Sequence, residues 1–414
     1  MLPPVLEVHV VWHPKDTEGQ NIAQGLVDHF HGTAFSGLIG GAIEVYVRSA
    51  GWTAEEDAPR PIPFADHDIS RNLRAAKFVV VVPLVGNELA MAVGTKDSVW
   101  QKYLKGILAA REGSPKSVAV FPYLIDQGVL DNTEVGKLFG GIQAIGGNKI
   151  ADGETPQLAR CRDLTQSIAR LVASTENKLT IFISHTKRHS IVEGDSVEKL
   201  IALVREVLNG TRLGEFFDAS DLQPGEDWDE ELRKRAATSA MLVVRTDLYP
   251  SREWCQREVS IAKRAGMPVL IMDALGDVEE RGSFLMDHVQ RVPARFEGNQ
   301  WKSSDIHRAL ALLVDECAKR SLWDQQKELA AKESTAKVAW WAPHAPEPIT
   351  FTHWLKARIA SGGFESDVEP IIVLHPDPPL GGEEKKSLDE ILEITGIKNP
   401  LEVLTPRLLA ARGG

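Results

Sequence analysis

Trp254 and Glu258 lie four residues apart in the run Trp254-Cys255-Gln256-Arg257-Glu258. On a helix starting near Ser251 that spacing puts both side chains on one face, the carboxylate one turn below the indole. An indole can stack on a flat ring, and a fixed carboxylate can meet developing positive charge, so the pair suits a nucleotide. Three further segments carry polar groups that could join it. Ser184-His185 closes the apolar run Leu179–Ser184, Asp218 to Gly225 follows Glu215–Asp218 and includes Leu222, and Thr246 to Arg252 follows Met241–Arg245. In an open parallel sheet the ligand crevice lies beyond the carboxyl ends of the strands. All three segments leave predicted strands at that end, distant in sequence and adjacent in space.

Each of these residues also has a plainer reading. An isolated Glu258 reads as a solvated carboxylate on an amphipathic helix, and Trp254 as a core or rim aromatic. Ser184 and His185 could serve turn and cap hydrogen bonds, and Asp218 could brace its loop. Cys255 reads as a small buried hydrophobe rather than a nucleophile. Arg245 and Arg252 could meet phosphates or could be ordinary surface cations. Pro224-Gly225 fixes one φ and frees the next, a turn signal for an exposed loop that could act as a lid. Glu226 or Asp227 then opens a helix whose N-terminal dipole favours negative charge.

The elements that must position these groups alternate along the chain, short β-branched runs with amphipathic stretches, the pattern of parallel strands joined by helical crossovers. Strands are predicted at Glu7–Trp12, Ile43–Val47, Lys77–Pro83 and Ser117–Tyr123, with helices near Asn21–Phe30, Ile69–Ala76, Val99–Arg111 and Pro156–Ala173. The middle third repeats the order: strands at Leu179–Ser184, Glu215–Asp218, Met241–Arg245 and Pro268–Asp273, and helices at Ser196–Leu208, Trp228–Ala237, Ser251–Ala265 and Ser304–Lys319. Continuous apolar strands such as Val79–Val82 suit sheets covered on both faces. The expected architecture is α/β: two flavodoxin-like parallel-sheet domains in tandem, 1–175 and 176–322, a linker helix at 323–337, and a small C-terminal α/β unit at 338–414. That last unit is too small to bury much alone and should pack on a neighbour.

The bulk properties exclude several classes. A chain of 414 residues calls for two or three domains. With 43% hydrophobic and 25% charged residues it reads as soluble and globular. A formal charge of −11, from 58 acidic against 47 basic side chains, gives no global attraction for nucleic acid or anionic lipid. Three scattered cysteines, Cys161, Cys255 and Cys317, suggest neither a disulfide framework nor a metal site, and a reducing cytoplasm fits them. No leader or apolar run of membrane-spanning length is visible. Gly37–Gly41 and Gly140-Gly141 match no dinucleotide fingerprint or P-loop.

In order, Lys178–His185, Phe216–Trp228 and Ser251–Glu258 resemble a TIR domain, the Toll/interleukin-1 receptor module. Trp254-Cys255-x-x-Glu258 matches the place where NAD-cleaving members of that family keep their catalytic glutamate. The resemblance implies cleavage of the nicotinamide–ribose bond of NAD, with Glu258 catalytic and with Trp254, Ser184, His185, Asp218, Leu222 and Gly225 lining the dinucleotide site. NAD is then a substrate, and no further cofactor or metal is required. It further implies that Asp218–Gly225 corresponds to the BB loop, which gates the crevice and makes subunit contacts. Where many members place an acidic residue early in the first loop, this chain has the basic turn Thr186-Lys187-Arg188-His189. The first domain resembles a degenerate relative: Trp100 is present, but position 104, four residues on, is leucine.

Three functions follow. The first is a cytoplasmic NAD hydrolase or cyclase, of the prokaryotic immune-effector kind, activated by self-association, a companion protein or a signal. The second is a non-catalytic adaptor in which both units are assembly surfaces. The third is a sensor whose carboxylate reads ribose hydroxyls without turnover.

Overall fold

The computed structural model describes residues 4–32, 34–35, 43–51, 59–64, 76–126, 128–146, 150–173, 179–213, 216–218, 239–279, 281–333, 337–364 and 369–412. The chain divides into two compact units, 1–150 with 155–176 and 324–329, and 151–154 with 177–323 and 330–414. The predicted helix Trp228–Ala237 and most of Ile69–Ala76 lie outside the described residues. Among the described residues no helix is long and apolar enough to cross a membrane.

In the first unit Leu6–Val11 (β1), Ile43–Arg48 (β2), Phe78–Val85 (β3), Tyr123–Leu124 (β5) and Ile145–Gly146 (β6) form a parallel sheet in the order β2-β1-β3-β5-β6, with Val118–Val120 (β4) also paired to β3. Every residue of β3 is buried, as a strand covered on both faces requires. The strand expected over Ser117–Tyr123 is two short pieces, because Pro122 between them has no N–H to give the ladder. Helices flank the sheet at Thr17–His31 (α1), Asn87–Gly94 (α2), Val99–Gly113 (α3), Glu134–Phe139 (α4) and Pro156–Val172 (α5). The α1 N-cap is Asp16, whose Oδ1 accepts from Gly19 N at 2.8 Å.

The second unit carries Thr180–Ser184 (β7), Phe216–Asp218 (β8), Ser239–Arg245 (β9), Val269–Asp273 (β10) and Gln290–Pro293 (β11), a parallel sheet in the order β11-β10-β9-β7-β8. Period-two alternation sorts its residues onto two faces. Ile181, Ile183, Leu242, Val244, Leu270 and Met272 pack with Ser196–Gly210 (α6) and Ser303–Glu333 (α8). Phe182, Met241, Val243 and Ile271 pack on the other side with Glu253–Ala265 (α7) and Tyr249. Phe296–Glu297 (β12) and Gln300–Trp301 (β13) form an antiparallel hairpin whose Gly298 and Asn299 both have positive φ, as a tight primed turn demands.

Two predicted helices, Ser304–Lys319 and the linker at Asp324–Lys337, are one helix, α8. No glycine or proline occurs from Ser303 to Glu333, so nothing interrupts the ladder between them. Beyond it Val338–Trp341 (β14), Ile371–Leu374 (β15) and Leu401–Leu404 (β16) make a three-stranded parallel sheet. Pro348–Ala360 (α9), Gly382–Ile394 (α10) and Pro406–Ala411 (α11) accompany it. The sequence reading found neither β14 nor α9. In α9 Glu347 and Thr350 form a capping box.

Candidate functional site

The site is built where β7 and β9 end. From Arg245 the chain passes through Thr246 and a 3₁₀ turn at Tyr249–Ser251 before α7 begins at Glu253. The helix therefore starts two residues later than the expected Ser251. Arg252, extended at φ −86° and ψ 117°, serves as its N-cap. Tyr249 is fully buried and anchors this turn, and Gln256 Nε2 donates to Pro250 O at 2.6 Å, tying α7 back to it.

Trp254 and Glu258 do share a face of α7, in very different surroundings: the indole is 47% exposed and the carboxylate residue 2%. Both border one cleft of about 410 Å³, together with His185, Lys187, Arg188 and Arg252. Glu258 is held from behind: Ser184 Oγ donates to its Oε2. Ser184 Oγ also lies 2.5 Å from the Tyr249 hydroxyl. A serine hydroxyl has one hydrogen. With Glu258 ionised that hydrogen goes to Oε2, so Tyr249 donates to Ser184 in turn. Burial, then the nearby Cys255 and Glu258, pushes the Tyr249 phenol well above its ordinary range, so it stays a donor. Burial, followed by Glu258, pushes the Cys255 thiol up to about 12, which keeps it protonated and unreactive.

The mouth of the cleft is basic. Lys187, Arg188 and Arg252 border it, against Glu258 deeper in. Arg252 Nε has no hydrogen-bond partner among the described residues. Thr186 Oγ1 accepts from Arg188 N at 3.1 Å and fixes the basic turn. Arg257 sits over the Trp254 ring at 5.6 Å from its centroid, a cation–π contact that orients the exposed indole. Two buried carboxylates brace the surrounding loops. Glu193 Oε1 accepts from Asp247 N at 2.8 Å, while Asp247 accepts from Ser190 Oγ and Gly276 N, each at 2.9 Å.

The residues chosen from sequence therefore separate. Glu258, Trp254 and His185 meet at the cleft, and Ser184 stands behind Glu258 as its hydrogen-bond donor. Asp218 ends β8 beside Ile183. Leu222 and Gly225, with Pro224, Glu226 and Asp227, lie outside the described residues. Arg245 is engaged elsewhere, by Glu279 and by Asp273 at 3.3 Å. Tyr249, Glu193 and Asp247 were missed. A large aromatic beside a proline directly after a strand was the available signal for Tyr249.

In the first unit Trp100 is 5% exposed, packed with His13 at 5.3 Å between ring centroids, and Leu104 is fully buried in the same core. There α3, the second helix after the third strand, presents Trp100 and Leu104 to the core.

Residues 181–310 match the family model described as TIR domain. No curated protein matches the chain. Among solved structures, the first ketoreductase of the tylosin PKS aligns at 12% identity over 97% of this chain and 90% of that one. Its TM-score of 0.15 gives the likeness no weight.

Proposed function

We propose, from the match of residues 181–310 to the TIR-domain family model, that the cleft hydrolyses NAD at its nicotinamide–ribose bond, with Glu258 as the catalytic carboxylate. The observation that carries the reading is a buried glutamate on the wall of a basic-mouthed cleft, one helical turn from an exposed tryptophan. Nicotinamide leaves a cationic pyridinium as a neutral molecule, so no strong acid is needed to protonate it. The sugar left behind becomes oxocarbenium-like, and a preorganised carboxylate stabilises that charge, as in glycoside hydrolysis. Water then bonds to the anomeric carbon and releases a proton to give ADP-ribose, or an internal nucleophile of the same dinucleotide bonds there to give a cyclic form.

Each neighbour has a part in this scheme. Ser184 donates to Oε2 and so fixes the carboxylate plane. Trp254 offers a flat face to a ring of the dinucleotide, and Lys187, Arg188 and Arg252 offer charge to its diphosphate. The basic first turn, a departure from the family pattern, thus fits an anionic substrate. The resemblance to TIR domains implies signalling as well as NAD cleavage, and self-association. A non-catalytic adaptor is the second reading, favoured by the fully exposed Ile191 and the exposed Val192 on the loop after β7. On either reading the resemblance implies immune signalling, with self-association, a companion protein or a signal as the activating event.

The discriminating experiment incubates concentrated purified protein with NAD and follows free nicotinamide, beside Glu258→Gln. Hydrolysis requires release by the parent and near-complete loss in the variant, whereas the adaptor reading requires equal background in both and retained self-association.

A further inference from the structure

The helix that carries Glu258 is gripped at its far end by the C-terminal segment of the chain. Lys263, on the last turns of α7, is 5% exposed and reaches Glu347 Oε2 at 3.0 Å. The same Nζ donates to Asp287 O at 2.7 Å. Glu347 is the N-cap of α9, so it belongs to the segment that begins after α8. The helix then stops at Gly266 in the left-handed conformation, φ +66°, and a Cβ built there would lie 3.0 Å from Pro343 and from Arg320. Pro343 and Glu347 thus close on the end of α7 from one side while Asp287 meets it from another. A second pairing, His288 Nδ1 to Glu384 Oε1 at 3.8 Å, joins the Asp287 loop to α10.

We infer that the Lys263–Glu347 pair is a positioning device, through which the C-terminal segment sets the pitch of α7 and so the placement of Glu258. The inference rests on the catalytic reading of Glu258. Lys263 lies five positions after Glu258, about 7.5 Å along the axis at roughly 1.5 Å per residue. A tilt of about 10° about the gripped end moves the carboxylate on the order of 1 Å, and such an error at a reacting centre costs about 10²-fold in rate. Neither Lys263 nor Glu347 lines the cleft, so loss of the pair should leave substrate binding alone. A buried ion pair replaced by apolar side chains of similar volume commonly leaves a protein folded. That separates positioning from mere support.

The test uses the full chain as Lys263→Met/Glu347→Leu, with Glu347→Gln as a second variant. Nicotinamide release gives kcat and KM, and amide hydrogen exchange is followed across Glu253–Ala265, with Ser239–Arg245 as the internal reference. Expected are a kcat about 10- to 100-fold lower, a KM within about twofold, and faster exchange in the helix but not in the reference strand. A folded double variant with parental kcat and parental exchange overturns the inference. If the parent turns over NAD no faster than Glu258→Gln, the catalytic reading fails by itself. The exchange comparison then still decides whether the pair holds the helix, and unchanged helix exchange overturns it.

Discussion

Removing the Ser184 hydroxyl tests how Glu258 is held. In Ser184→Ala the carboxylate loses the donor to Oε2, and the Tyr249 hydroxyl, 2.5 Å from Ser184 Oγ, loses its acceptor. A hydrogen bond to a charged group contributes about 1.5–3 kcal/mol. If that contribution is realised in the transition state, kcat falls roughly 10- to 150-fold at about 1.4 kcal/mol per tenfold. Stability should fall separately by about 1–3 kcal/mol, since a buried phenol is left unsatisfied. Tyr249→Phe removes the outer donor and leaves Ser184 on Glu258, so its kcat should fall less than that of Ser184→Ala. The double variant should lose less than the sum of the two, because the three groups form one chain. The assay is nicotinamide release at saturating NAD, with thermal unfolding on the same samples. A Ser184→Ala protein that keeps kcat within twofold of the parent refutes the relay.

Trp254→Ala should raise KM with little change in kcat, by a factor set by about 1–3 kcal/mol of ring stacking. Since Trp254 is 47% exposed, its unfolding temperature should hardly move, and initial rates across NAD concentrations with a melting curve check both points. Cys255 should resist alkylation at pH 8 in the native protein and react once unfolded, which peptide mass mapping reads directly. Its folded pKa of about 12 exceeds the ordinary 9.0, so its protonated form stabilises the fold fully below pH 9. That contribution is lost as pH rises from there toward 12, by about 1.4 kcal/mol at pH 10. Urea unfolding at pH 8 and pH 10 should show a steeper alkaline loss for the parent than for Cys255→Ala.

The central strands of the two larger sheets were legible because they are written in apolar residues with few alternatives, whereas the edge strands β6 and β11 were not predicted. Phe78–Val85 and Ser239–Arg245 are buried throughout, and the glycine-free, proline-free stretch after Ser303 explains why two predicted helices are one. The C-terminal β14 was not legible, since Val338–Trp341 is short and half-buried. Within the site, the spacing of Trp254 and Glu258 declared a shared helix face, but not that one residue would be exposed and the other enclosed. That difference comes from Tyr249 and Ser184, contributed by other segments and brought in by the packing of α7 on β7 and β9. Trp100 and Leu104 make the same point from the opposite side. Equivalent spacing on a helix after a third strand yields core packing when the fourth residue is leucine.

The central claim is that one enclosed carboxylate performs the cleavage. Its most direct measurement is free nicotinamide released from NAD by the concentrated protein and by Glu258→Gln, with matched circular dichroism and melting curves. The expected result is release by the parent and at least a hundredfold loss in the variant at unchanged folding, a difference of about 2.7 kcal/mol or more in transition-state stabilisation. Equal turnover by the two folded proteins would contradict it.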